Sequence, residues 1–263
     1  MRDEEIPLAG GIANRGLIVR VGDTVRRPQR PTGAATHALL RHLEERGFDG
    51  APRFLGIDEK GREVLTFIPG DAVTDPHPAW ALEDDALRSV AELLRRYHEA
   101  VATFDPRPHR WPTPPPDPFA GPLVTHNDPN LDNVIFRAGR AVAFIDFDLA
   151  SPGTVLWDVA GAARLWAPLM ADQDIHDTRR GRSLARFRTF VESYGADGLD
   201  PEGLVDAVLL NHTWLYDVVR SGAAQGNRGF AEHWRGVAQR VERTHRWYAE
   251  NRQTLVEALV PCL

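Results

Sequence analysis

His126-Asn127-Asp128-Pro129-Asn130-Leu131-Asp132-Asn133, followed after a short hairpin by Ile145-Asp146-Phe147-Asp148, is the stretch that decides how this chain is read. Between its halves the apolar runs NVIF and AVAFIDF flank the turn Ala138-Gly139-Arg140, the pattern of two antiparallel strands. Such a hairpin folds the end of the stretch back beside its start, so Asp128, Asn133 and Asp146 converge. Three oxygen-bearing side chains in one place suit a hard cation such as Mg2+, which takes oxygen ligands at about 2.0–2.1 Å, and suit zinc poorly. Asn, Asp and Pro are also ordinary turn residues, so either half alone reads equally well as a polar turn. Asp132 and Asp148 read as capping or solvated carboxylates as readily as further metal contacts, and Asp158, just inside a helix start, as structural.

Working outward, the first seventy residues alternate short β-rich runs (17–21, 24–27 and 64–68) with turns at Gly22-Asp23 and Lys60-Gly61. Between them, Leu39, Leu40 and Leu43 stand at helical spacing and the run stops at Gly47. Pro69-Gly70 closes the last strand. A lobe boundary is expected there, dividing 1–69 from 70–263. Apolar residues at three- and four-residue steps predict one helix over about 79–104, and a proline-rich connector then leads to the deciding stretch. The remainder reads as several helices ending in a long one over about 230–259.

The 263 residues are 43% hydrophobic, enough for a sizeable core, and the formal net charge of -6 gives no support to nucleic-acid binding. The single Cys262 permits no intrachain disulfide and no cysteine-rich metal site. The N-terminus lacks the pattern of a secretory signal, and no apolar run reaches the roughly twenty residues of a membrane span. A cytoplasmic protein without membrane partners is expected; oligomeric state is left open.

The spacing H-x-D-x-x-x-x-N followed by a second Asp is similar to the catalytic and metal-binding loops of kinases. With IDFD, and with Trp157-Asp158-Val159-Ala160 beyond it, the chain resembles the aminoglycoside phosphotransferase family, whose usual forms are HGDxxxxN, ID-aromatic and D-L-A. The resemblance implies an α+β, protein-kinase-like two-lobed fold with a small antiparallel β-rich N-lobe and a larger, mainly helical C-lobe. It implies transfer of a phosphoryl group from ATP or GTP to a small-molecule hydroxyl acceptor. In that scheme Asp128 takes the hydroxyl proton, His126 supports it by bracing the loop, and Asn133 and Asp146 hold Mg2+.

For the nucleoside triphosphate, the resemblance points to the loop Gly10 to Gly16, with Gly11 and Asn14 near the phosphates, although the string reads equally as a hairpin turn. It places Arg26 on the α- and β-phosphates, in preference to Arg27 on the opposite strand face. It puts backbone groups of Thr66, Phe67 and Ile68 at the base. A helix glutamate should pair with the basic residue, but His37 stands there, and Glu44 and Glu45 lie one to two turns further on. The acceptor would sit over Asp128 against the later helices, where Asp172, Asp174, Asp177, Asp206 and Asp217 could welcome a cationic aminoglycoside, together with Trp166 and Trp214. Surface helices carry such carboxylates in any case. Two rival readings are a nucleotide-binding pseudokinase, which His37 favours, and a metal-dependent hydrolase, which lacks the expected repeated ligands.

Overall fold

Short runs of β-branched residues between glycine turns build the first layer. The computed structural model describes residues 4–8, 16–74, 76–195 and 198–260. In it β1 (Ile6–Pro7), β2 (Val19–Val21), β3 (Thr24–Pro28), β4 (Phe54–Ile57) and β5 (Arg62–Thr66) form an antiparallel sheet in the order β1-β2-β3-β5-β4. α1 (Gly33–Glu45) lies between β3 and β4 in sequence and buries Leu39, Leu40 and Leu43, the face its leucine spacing predicts. β4 is not among the expected strands. Gly56 interrupts its apolar alternation and the ladder shifts register between Phe54 and Gly56, which hides the strand from periodicity.

Beyond Pro69 the chain forms β6 (Asp71–Ala72), then α2 (Asp84–Val101), β7 (Leu123–Thr125), β8 (Val134–Arg137), β9 (Arg140–Phe144) and β10 (Ser151–Gly153). α3 (Val155–Trp166), α4 (Ser183–Tyr194), α5 (Pro201–Ala224) and α6 (Arg228–Leu259) complete the helical lobe. The helix expected over 79–104 is broken: a single 3-10 turn at Ala79–Leu82 is followed by extended Glu83. Buried Arg186 holds the break, donating from Nη1 to the Leu82 carbonyl and to Asp84 Oδ1, both at 2.8 Å. α2 turns Leu87, Val90, Leu94 and Tyr97 inward, each fully buried, at about 1.5–3 kcal/mol per large apolar side chain.

Two small sheets position the polar segment. β8 and β9 form the expected hairpin, its turn residues Ala138 and Gly139 both at positive φ, and β6 pairs with β8. Gly70 is required where β5 hands over to β6, because a Cβ there would come within 2.5 Å of both the Phe136 carbonyl and Ile135. Among the described residues no helix is long and apolar enough to cross a membrane.

Candidate active site

β7 and β10 pair antiparallel, with Thr125 opposite Ser151, so both ends of the segment 126–150 are pinned to one point. Within this closed unit His126 is fully buried. Its Nδ1 accepts from the Asp128 N–H at 3.3 Å and its Nε2 donates to the Ile145 carbonyl at 3.1 Å, tying the loop before Asp128 to the strand end before Asp146. His126 is thus a brace between the two halves. Burial pushes its pKa down to about 4, which keeps the ring neutral and able to accept as well as donate.

α3 holds the loop from behind. Trp157 Nε1 donates to Asn127 Oδ1 at 2.9 Å and Trp166 Nε1 to the Pro129 carbonyl at 2.8 Å. Asp158 accepts from the backbone N–H of His126 at 2.8 Å and of Asn127 at 3.0 Å, and its Oδ2 lies 3.0 Å from His98 Nε2. Burial alone would raise this carboxyl, but those hydrogen bonds, that from His98 foremost, hold it below the usual range. Asn127 and Asp146 both adopt left-handed backbone, at φ +67° and +60°, and these sharp turns aim the neighbouring side chains into the cleft.

Asn133 Nδ2 donates to the Asp128 carbonyl at 3.0 Å and to Asp128 Oδ2 at 3.1 Å, which orients that carboxyl and leaves Asn133 Oδ1 as the oxygen available to a cation. Burial, with Asp146 and Asp132 nearby, pushes Asp128 up to about 7. Burial and the neighbouring Asp146 push Asp148 up, against Arg27 and Arg30. Arg27 Nη1 lies 3.0 Å from Asp148 and 3.3 Å from Asp146, and Arg30 Nε lies 2.6 Å from Asp148. An oxygen donor set of this kind, Asn133 Oδ1 beside the Asp146 carboxylate, fits Mg2+, which is commonly held by one or two protein side chains plus substrate phosphates.

Two cavities meet at this point. One, of about 360 Å³, lies under the first sheet between Ile18 and Val25 on one side and Ile135 and Ile145 on the other, with Thr66, Phe67 and Ile68 along one edge and Arg27 at its polar end. The Thr66 and Phe67 N–H groups are bonded to the Arg53 and Asp23 carbonyls. The Ile68 N–H is the remaining donor of that edge, since Pro69 has none. The second cavity, of about 370 Å³, contains Asp128 and runs toward α5 and α6. Asp132, Asn133 and Asp146 line both. In its far wall Phe230 of α6 packs against Gly222 of α5, where a Cβ would come within 2.1 Å of the ring.

The model of the phosphotransferase enzyme family matches residues 110–190, the span that contains this whole unit. Over 271 aligned residues the chain is 31% identical to the trifolitoxin immunity protein of Rhizobium leguminosarum bv. trifolii, covering 98% of this chain and 99% of that protein. The chain belongs to the phosphotransferase enzyme family. Solved structures share its fold. A choline/ethanolamine kinase family protein from Mesorhizobium loti superposes with a TM-score of 0.64 at 14% identity, covering 97% of this chain and 92% of that one. The GDP complex of wild-type aminoglycoside 2'-phosphotransferase-IIIa gives 0.63 at 14%, covering 95% and 94%. An ADP-bound aminoglycoside phosphotransferase gives 0.56 at 14%, covering 98% and 95%. The protein-kinase-like, two-lobed α+β fold is therefore that of its family.

Within this phosphotransferase family chain, Asp128, Asn133 and Asp146 lie together, and Thr66 to Ile68 border the first cavity. Gly11 and Asn14 lie outside the described residues. The expectation for Arg26 is corrected. The β3 register points Arg26 at Thr24 and at Asp58, 3.7 Å away, and turns the next residue, Arg27, into the cleft. The carboxylate facing Arg27 comes not from α1 but from β5: Glu63 Oε2 lies 3.2 Å from Arg27 Nε, with His37 Nε2 at 3.6 Å on its other side. Reasoning from the sequence missed Glu63 because it sought that group on a helix. The pairing of Arg27 with Glu63 across two strands was its only available signal.

The acceptor-side expectations also change. Asp174, Asp177, Asp206 and Asp217 pair with Arg243, Arg179, Arg252 and Arg220 respectively, and none of the four lines the cavity around Asp128. Trp166 and Trp214 are buried and serve as donors to backbone carbonyls of the Pro-rich connector and loop, at Pro129 and Pro114.

Proposed function

We propose that this chain transfers the γ-phosphoryl group of ATP or GTP to a hydroxyl of a small molecule. The observation that carries the reading is the meeting of two cavities at Asp132, Asn133 and Asp146, with Asp128 on the side away from the first sheet. The nucleotide occupies the apolar slot under the sheet, its base near the Ile68 N–H and its phosphates toward Arg27, whose fork suits phosphate oxygens. Residues 1–69 cover it, with Gly11 and Asn14 in the covering loop, and 70–263 carry the chemistry and the acceptor. Asn133 through Oδ1 and Asp146 through its carboxylate would hold Mg2+, which neutralises phosphate charge when bound. The acceptor oxygen bonds to the γ-phosphorus, the bond from that phosphorus to the β–γ bridging oxygen breaks, and nucleoside diphosphate leaves. Asp128, oriented by Asn130 and Asn133, takes the hydroxyl proton. GDP and ADP in two solved relatives agree with either donor.

A cytoplasmic site of action is part of this reading, since nucleoside triphosphates are found there. Similarity along nearly the full length to an immunity protein favours protection against a toxic compound as the setting. Nucleotide binding without turnover was favoured by the missing helix glutamate, and Glu63 weakens that case by supplying the carboxylate from β5.

Asp128→Ala decides the central claim. Turnover should fall by about 10²–10⁴-fold while metal-nucleotide binding stays within severalfold and the melting temperature holds. Unchanged turnover with a confirmed acceptor removes Asp128 from the mechanism.

A further inference from the structure

The cavity in front of Asp128 is electrostatically one-sided. Its carboxylates, Asp128, Asp132, Asp146 and Asp148, all stand at the end shared with the nucleotide slot, and Asp148 is already matched by Arg27 and Arg30. The opposite wall is apolar. Leu215, Val218 and Val219 succeed one another at helical spacing on one face of α5, Leu165 joins them from α3, and Phe230 closes the end from α6. Asp217, between them in sequence, points outward, half exposed, and pairs with Arg220 at 2.6 Å. The other polar side chains that line the cavity are Arg30, His77, Asn130, Asn133, Tyr216 and His233, none of them a carboxylate.

Among the described residues, therefore, this cavity offers no carboxylate away from the phosphoryl end, and the space that adjoins it at His77, Leu131, Leu165 and Tyr216 adds only Asp174 and Asp177, which are already paired with Arg243 and Arg179. Spread-out ammonium groups would lose water against Leu, Val and Phe and gain no partner there. An uncharged hydrocarbon body gains by the same burial, about 0.8 kcal/mol per methylene. Resting on the kinase reading above, we infer that the acceptor is an uncharged, predominantly apolar alcohol, its hydroxyl at Asp128 and its body against the α5–α6 wall, and not a polycation. The size fits: about 370 Å³ falls within the range of small-molecule sites, roughly 300–1,000 Å³.

The test is a calorimetric titration of a homologous series of straight-chain primary alcohols and of the polycationic alcohol kanamycin. It is run with Mg2+ and a non-hydrolysable ATP or GTP analogue, and repeated without nucleotide. Affinity should rise about three- to fourfold per added methylene until the cavity is filled, and kanamycin should bind more weakly than the longest alcohol. Val218→Asp should weaken the alcohols by about tenfold or more. The near-isosteric Val218→Thr should weaken them in the same direction and keeps the inference testable if the carboxylate variant does not fold. A flat series, tighter binding of kanamycin, or alcohol affinity indifferent to both Val218 substitutions overturns the inference. A failure of nucleotide to bind sinks the kinase reading separately, because the titrations without nucleotide still report on the cavity.

Discussion

At φ +67°, Asn127 occupies backbone that residues with a Cβ rarely adopt and that Asn tolerates better than most. The family's usual glycine at this place has the same physical reason. Here the amide also works as a junction, with Oδ1 accepting from Thr125 and Trp157 and Nδ2 donating to the Leu149 carbonyl and Ser151. Both Asn127→Gly and Asn127→Ala lose those bonds, but only Ala adds backbone strain. Urea unfolding should therefore find Ala less stable than Gly by about 1 kcal/mol, and equal losses would show that the left-handed turn relaxes. On the nucleotide side, Arg27→Ala should weaken metal-nucleotide binding at least tenfold by calorimetry and Arg26→Ala severalfold less, since only Arg27 faces the cleft. A larger effect at Arg26 would place the phosphates elsewhere. The grouping of Asp128, Asn133 and Asp146 was legible because a hairpin of fixed length links them. The choice between adjacent arginines was not, because neighbours on a strand differ only in face and one residue of register exchanges them.

Elements rather than single side chains fix the loop that carries Asp128. α3 contributes two indole donors and one buried carboxylate to it, all from one helix that is buried along most of its length. Removing the donor at 166 leaves the buried Pro129 carbonyl without its partner, at about 1–3 kcal/mol. Trp166→Phe should thus lower kcat with little change in nucleotide affinity, as measured by steady-state kinetics beside calorimetry. A rise in KM for nucleotide alone would contradict this role for α3. The helices were legible where three- and four-residue spacing is unbroken, as in α2 and α6. The interruption at Glu83 was not, since what stabilises it is Arg186, a partner about a hundred residues away in sequence. β7 and β10 are too short to show periodicity, yet their pairing is what closes the site.

Across the whole molecule, two buried histidines contribute to how stability responds to acid. Burial pushes His126 down to about 4, and burial with Arg164 nearby pushes His212 down to about 3. Both are neutral when folded and take up a proton near pH 6.5 when unfolded, so below about pH 6.5 the unfolded state binds more protons. The stability present above that pH is lost as pH falls toward the folded values. His212→Gln keeps an N–H donor for the Val241 carbonyl, 3.3 Å from Nε2, and removes one titrating group. Its unfolding free energy should fall less steeply below about pH 6.5 than that of the unsubstituted chain, by up to about 1.4 kcal/mol per pH unit, and an unchanged slope would mean that His212 protonates in place. At this scale the chain also separates what shapes the cavity from what lines it. Gly222 touches no acceptor, yet it is the seat on which the Phe230 ring rests. The reach of the far wall is therefore adjustable from behind. A single methyl at 222 would push the ring off its seat, so acceptor range can drift between relatives whose lining residues are identical.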